Sequence, residues 1–130
     1  MNRHSLVVIV AALLCSVVGL ERRAAASDLT VSGTCPGEVT FTISGWEPDT
    51  TVAVAFSTAR GSLRIPNSYR YCSGTVLGLS SRNIRVLIVF QTDEFGHATH
   101  DLRLPRGACG GYVQAMSLQF CNLSPVRQLP

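Results

Sequence analysis

Residues 38–45 read Glu-Val-Thr-Phe-Thr-Ile-Ser-Gly, a strict alternation of apolar and polar side chains. In an extended chain, neighbouring side chains point to opposite faces. Val39, Phe41 and Ile43 therefore share one face, and Thr40, Thr42 and Ser44 the other. These β-branched and aromatic residues suit a pleated, half-buried surface. The same period recurs at residues 51–57, with Val52, Val54 and Phe56 on one side and Ala53 and Ala55 on the other. Beyond residue 26, no segment holds a helical period over about 11 residues. A chain patterned this way must bury one face of a sheet against another sheet.

The remaining strands follow from the punctuation between them. A short strand over 29–32 precedes a turn at 33–37, and Gly45-Trp46-Glu47-Pro48-Asp49 is turn chemistry. Residues 59–81 are the least regular part, broken by Arg60-Gly61, Pro66-Asn67 and Ser73-Gly74, with short edge strands at 62–65 and 75–79. Residues 84–92 read as a strong strand with Ile84, Val86, Ile88 and Phe90 inward. Leu87 and Val89 make its other face apolar, so a central position is expected. Asp93-Glu94-Phe95-Gly96 is a tight turn, and residues 97–104 return antiparallel. Residues 112–118 form a strand whose inward face the pattern leaves open, and 126–129 a last short one. Seven to nine strands with such spacing point to an antiparallel β-sandwich, a single domain over 27–130.

Residues 1–26 are expected to stand apart from that domain. Arg3 lies near the start, an uncharged apolar run fills residues 5–20, and Ala24-Ala25-Ala26 closes the segment. That is the pattern of a secretory signal peptide cleaved after Ala26. An uncleaved membrane anchor is the rival, supported by Arg22 and Arg23, but the run falls short of about 20 apolar residues. Acylation at Cys15 is disfavoured, because Leu13-Leu14 precede it instead of small residues. A secreted, periplasmic or cell-surface location follows, with membrane contact only if the leader is retained. Much of the net charge of +3 belongs to this leader, so nucleic acid is not an expected partner.

Four cysteines remain beyond the leader: Cys35, Cys72, Cys109 and Cys121. An even number in a small exported domain reads as two disulfides, and no CxxC pair suggests zinc. Cys109 and Cys121 bracket the 112–118 strand. Its seven residues would span roughly 23 Å if extended, whereas bridged Cα atoms lie within about 7 Å. That pairing is disfavoured, and the other two pairings stay open.

Thr92 to Pro105, T-D-E-F-G-H-A-T-H-D-L-R-L-P, resembles a hairpin common in bacterial immunoglobulin-like and fibronectin-III-like modules. Residues 29–37, LTVSGTCPG, and 108–114, ACGGYVQ, are similar to the matching parts of small exported bacterial domains with four cysteines. The resemblance covers nearly all of 27–130 and implies a surface, adhesion or spacer role. One departure is His100, at a strand position where such modules often carry an inward aromatic.

Catalytic signatures are absent from the sequence. All 11 basic residues are arginine, which removes amine chemistry such as Schiff bases and Ser–Lys dyads. No G-x-S-x-G, S-x-x-K, H-E-x-x-H or EF-hand loop occurs. His97 and His100 are three apart on one strand and face opposite ways. The acids Glu38, Glu47, Asp49, Glu94 and Asp101 suit exposed turns and strand edges better than a paired-carboxylate site. The expectation is a non-enzyme with no cofactor and no metal.

Candidate binding residues come from the loops. No acid occurs between Asp49 and Asp93, while Arg60, Arg64, Arg70, Arg82 and Arg85 fall there. Tyr69-Arg70-Tyr71 interleaves aromatic and basic groups. Trp46, the single tryptophan, either stacks on a ligand from a loop tip or caps the core, and the capping role is favoured. Together Trp46, Arg64, Tyr69, Arg70 and Tyr71 suggest an anionic glycan or an extracellular protein as partner. The alternative is a small secreted inhibitor or effector that blocks a partner protein through a disulfide-pinned loop. Exposed edge strands would also let another copy or chain pair.

Overall fold

A computed structural model describes residues 27–130; residues 1–26, on which the expected signal peptide and Cys15 fall, lie outside the described residues. The described residues run through nine strands: β1 (Asp28–Gly33), β2 (Gly37–Ser44), β3 (Thr51–Ser57), β4 (Arg60–Arg64), β5 (Val76–Leu79), β6 (Arg85–Gln91), β7 (Ala98–Leu104), β8 (Tyr112–Ser117) and β9 (Arg127–Gln128). A 3-10 turn, Arg106–Ala108, precedes β8. Sheet order is β1-β2-β7 in one layer and β6-β3-β8-β9 in the other, with every pairing antiparallel. The expected all-β, antiparallel sandwich is the observed fold.

The alternation in β2 places its side chains as the sequence dictates. Val39, Phe41 and Ile43 are buried, and their register partners Val31, Leu29 and Leu102 pack on the same core. From the facing sheet come Val52, Val54, Phe56, Val113 and Ala115. Each such side chain contributes on the order of 1.5–3 kcal/mol by leaving water.

The two long edges of the sandwich close differently. At one, the Arg127 guanidinium on β9 donates to the Asp28 carboxylate at 2.7 Å and, through Nε, to the Leu29 carbonyl at 2.8 Å. At the other, the rings of Phe90 on β6 and His100 on β7 stack with centroids 4.9 Å apart. His100 lies opposite Phe41 in the register but stays exposed, so it covers the edge of the core from outside and does not enter it.

One end is organised by the Thr92–Gly96 hairpin. The Thr92 hydroxyl donates to the Glu47 carbonyl and accepts the Thr50 N–H, both at 2.8 Å. The Asp93 carboxylate accepts the N–H groups of Phe95 and His97 at 2.8 and 2.9 Å, which holds its pKa below the usual value. Gly96 sits at φ 75°, against the Trp46 carbonyl, where no Cβ would fit.

Two expectations about strands need correction. β6 is an edge strand, not a central one. The register shifts between Val54 and Ala55, so Leu87 is an extra residue opposite the β3 ladder. That bulge turns both Leu87 and Ile88 toward the core and puts Val86 and Val89 outside, 57% and 53% exposed. The short strands of residues 59–81 are not sandwich edges either. β4 and β5 pair only with each other and form a separate two-stranded layer.

That layer covers the outer face of the second sheet. Leu77, Leu79 and Ile65 make a second apolar cluster with Ala55, Tyr112 and Met116. The buried Gln114 amide ties the layers together: it accepts the Gly78 N–H and donates to the Ser124 carbonyl, both at 2.9 Å. Tyr112–Ser117 was ambiguous in sequence because both of its faces are covered.

Gly96→Ala should cost about 2–3 kcal/mol, since it adds a side chain to a left-handed backbone pressed on the Trp46 carbonyl. Gly107→Ala, with open space around it, should change stability by less than about 0.5 kcal/mol. Urea denaturation of both variants measures this, and equal stability would refute the assigned contact.

Asp28 carries a pH signature. The Arg127 hydrogen bond, followed by that of the Leu29 N–H, lowers its folded pKa below the ordinary 3.8 despite some opposing desolvation. Its contribution is therefore present above that ordinary value and is lost as pH falls through the lowered folded value. The pair is partly exposed, so Asp28→Asn should cost only about 0.5–1 kcal/mol at neutral pH. The gap between wild type and variant should close in acid; a gap that persists there would contradict the ion pair's role.

Candidate functional site

The hairpin layer stops short of β6, and the space left on the outer face of the second sheet is a groove of about 620 Å³. Its floor comes from the second face of β3 and β8: Ala53, Ala55 and Met116, with Leu118 beyond. Leu63, Ile65 and Leu77 wall the hairpin side, and Ile84 and Val86 the β6 side. The small side chains of Ala53 and Ala55 leave room where their core-facing neighbours Val52 and Val54 would not.

Residues 66–75 form the groove's lip. The ladder of β4 and β5 extends one step, with Ile65 N–H donating to the Thr75 carbonyl at 2.8 Å. The loop beyond it is tied by Tyr69 N–H to the Pro66 carbonyl at 3.1 Å and by the Cys72–Cys121 disulfide. Cys121 lies in the turn after β8, where Ser117 N–H donates to the Asn122 carbonyl at 3.0 Å. The second bridge, Cys35–Cys109, joins the β1–β2 turn to the chain after β7. These bridges exclude Cys109–Cys121 and resolve the open choice. Their Cα atoms are 5.5 and 5.4 Å apart.

The candidate binding residues separate into two groups. Tyr69, Arg70 and Tyr71 all line the groove, and the tyrosines are 64% and 49% exposed. Arg70 lies over the Tyr71 ring, 5.8 Å from its centroid. Arg64 alternates with Leu63 on β4, so it points away from the groove and donates to the Gly74 carbonyl at 3.4 Å. Trp46 is 5% exposed and its indole N–H donates to the Asp28 carbonyl at 2.8 Å. It caps the core, as the favoured reading held, and does not belong to the groove.

The arginines of residues 60–85 do not converge. Arg60 stacks over Tyr112 and Arg85 over Phe56, each 5.1 Å from the ring centroid, while Arg82 is exposed. Arg70 and Arg85 are the two that line the groove, and none of its lining residues is acidic. Arg85 borders the groove, but its register partner is the core-facing Phe56 and its guanidinium lies over that ring, not over the alanine floor. Sequence reasoning missed Val86, expected inward, as part of the groove wall, because the bulge at Leu87 shifts the alternation along β6. The apolar floor was equally hidden: Ala53 and Ala55 read as an outer face, with nothing to say what covers it.

A flatter hollow of about 500 Å³, lined by Pro36, Gly37, Arg103, Leu104 and Pro105, lies beside the first disulfide. It offers one cation and no enclosing wall. No protein-family model matches the chain, and no curated protein is similar to it.

The groove's lip should depend on its bridge. Cys72→Ala with Cys121→Ala should cost about 2–4 kcal/mol and open Arg70 to trypsin under native conditions. Wild-type protein should resist cleavage there. Equal protease resistance of the two would show that the loop is held by other contacts.

Proposed function

We propose that this protein is an exported, non-catalytic binding module that holds its ligand in the groove between the second sheet and the β4–β5 hairpin. The observation that carries this reading is the groove itself, a preformed apolar cleft with Tyr69, Arg70 and Tyr71 at its lip. Binding sites are commonly concave, mostly apolar and furnished with a few polar groups that fix orientation. Here a stiff sheet supplies the floor and a disulfide-tied loop supplies the polar groups, so little order has to be created on binding. Two disulfides support an oxidising, extracytoplasmic compartment.

The similarity to immunoglobulin-like and fibronectin-III-like surface modules supports the same class of role. Thr92, Asp93 and Gly96, which carry that similarity, serve turn geometry, so they bear on fold and not on ligand. The diverging arginines favour an apolar ligand body over a glycan.

A second reading has its own support. Tyr69, Arg70 and Tyr71 project from a pinned loop, and Tyr and Arg are frequent anchors of protein interfaces. In that case the domain inhibits a secreted hydrolase, and Tyr69→Ala abolishes inhibition.

A neutral apolar dye, Nile red, tests the groove. The full secreted domain should bind it at one site, and Val86→Asp should weaken binding at least about tenfold by placing a charge on the groove wall. Phe95→Asp, on an exposed turn away from the groove, should leave it unchanged. Dye binding that ignores Val86→Asp but falls with Phe95→Asp would overturn the assignment.

A further inference from the structure

We infer that the groove's occupant is the 93–96 turn of a second copy of this chain, with Phe95 seated on the alanine floor and its acidic neighbours against the lip that carries Arg70. This rests on the groove being a binding site.

The plug is an aromatic side chain that the fold does not use. Among the described residues Phe95 is the most exposed large apolar side chain, at 73%. Asp93 and Gly96 build the turn, which needs only the backbone N–H of Phe95. The tip is nonetheless stiff. Asp93 N–H donates to the His97 carbonyl at 2.8 Å, and Trp46 N–H to the Gly96 carbonyl at 3.4 Å. A stiff, exposed ring offers contact area at little ordering cost.

Charge sets the tip of a second copy apart from a neutral occupant. Glu47 and Asp49 stand beside the tip with Asp93 and Glu94, and all four are exposed. Asp49 N–H donates to the Asp93 carbonyl at 3.1 Å, and the Thr92 hydroxyl to the Glu47 carbonyl at 2.8 Å, so the two turns move as one. Among the described residues the one ion pair is that of Arg127 with Asp28, so none of these four acids has a salt-bridge partner. The groove has the opposite character. None of its lining residues is acidic, Arg70 lies on its lip, and residues 60–85 carry five arginines and no acid. Complementary fields of this kind steer an encounter without any two arginines meeting at one atom. Tyr69 and Tyr71, exposed at the lip, supply rings for Phe95 to pack against.

The contact has to form between copies. The length of β6, roughly 20 Å, separates Val86 on the groove wall from the tip, and hydrogen bonds hold the tip at the end of the sandwich. Tip and groove are different surfaces of one molecule, so the contact is head-to-tail, and every added copy leaves one free tip and one free groove. One turn in one groove stays below about 1,200 Å², the class of weak and transient contacts.

Sedimentation equilibrium of the full protein tests this between about 10 µM and about 1 mM. The average mass should climb with concentration past that of a dimer. Raising salt from about 50 to about 500 mM should weaken association at least about threefold. Phe95→Asp, which removes the plug, and Val86→Asp, which places an acid on the groove wall, should each weaken it at least about tenfold. Both positions are exposed, and an unchanged thermal midpoint verifies each fold. Tyr69→Ser with Tyr71→Ser is a second groove variant with the same expected loss. A mixture of Phe95→Asp and Val86→Asp copies is the sharpest arm. The first keeps its groove and the second its tip, so they should form a one-to-one pair that grows no further.

A mass that levels off at a dimer overturns the head-to-tail contact. So does association that survives either single substitution, ignores salt, or is not restored in the mixture. Nile red at micromolar protein, where the copies are apart, separates the two levels. If the dye binds in the groove and the wild-type protein stays monomeric at about 1 mM, the occupant is wrong and the groove stands; if the dye does not bind, the groove itself fails.

Discussion

β3 is covered on both faces, and most of the molecule's departures from a plain two-layer sandwich follow from that. Val52, Val54 and Phe56 face the main core, while Ala53, Ala55 and Ser57 face the other way and are also largely hidden. A central strand of a sandwich ordinarily turns one face to water. Here the β4–β5 hairpin lies across that face; the Gln114 amide oxygen accepts its Gly78 N–H, while the amide nitrogen donates to Ser124 in the chain after β8. The hairpin is too small to cover the whole sheet. What remains uncovered, bounded by the loop that Cys72–Cys121 ties down, is the groove.

The two disulfides have different tasks. Cys35–Cys109 links loops at the rim of the main sandwich, across a sequence separation of 74. Cys72–Cys121 joins the hairpin layer to the turn that follows β8, across a separation of 49. Both restrict long loops of the unfolded chain, and for a domain of this size that is a substantial share of stability. Only the second shapes the candidate site. The sandwich edges rely on weaker devices: one partly exposed ion pair and one ring stack.

Where local pattern and tertiary environment agreed, the sequence could be read directly. Val39, Phe41 and Ile43 alternate with threonine and serine because β2 has one wet face, and the register follows from that. The hairpin at Thr92–Gly96 was equally legible, since Asp93 and Gly96 perform local backbone tasks. Where two environments overlapped, the pattern was ambiguous. Tyr112–Ser117 carries apolar or small residues on both faces because both are covered, and alternation has nothing to report. The bulge at Leu87 reversed the phase of β6, and no turn residue announces it. Tyr69, Arg70 and Tyr71 were found by their mixture of aromatic and basic groups. Arg64 was grouped with them by proximity in sequence, but its alternation with Leu63 sends it away. The cysteine pairing was beyond local reading altogether, because it depends on which loops meet in space.

Those loops meet only if the hairpin layer truly lies on the second sheet, and the covalent connections record that directly. Peptide mapping of the unreduced protein should recover Cys72 joined to Cys121 and Cys35 joined to Cys109. Recovery of Cys72 joined to Cys109, or of Cys72 as a free thiol, would mean that residues 60–79 sit elsewhere, and β3 would lose the cover on which the groove depends.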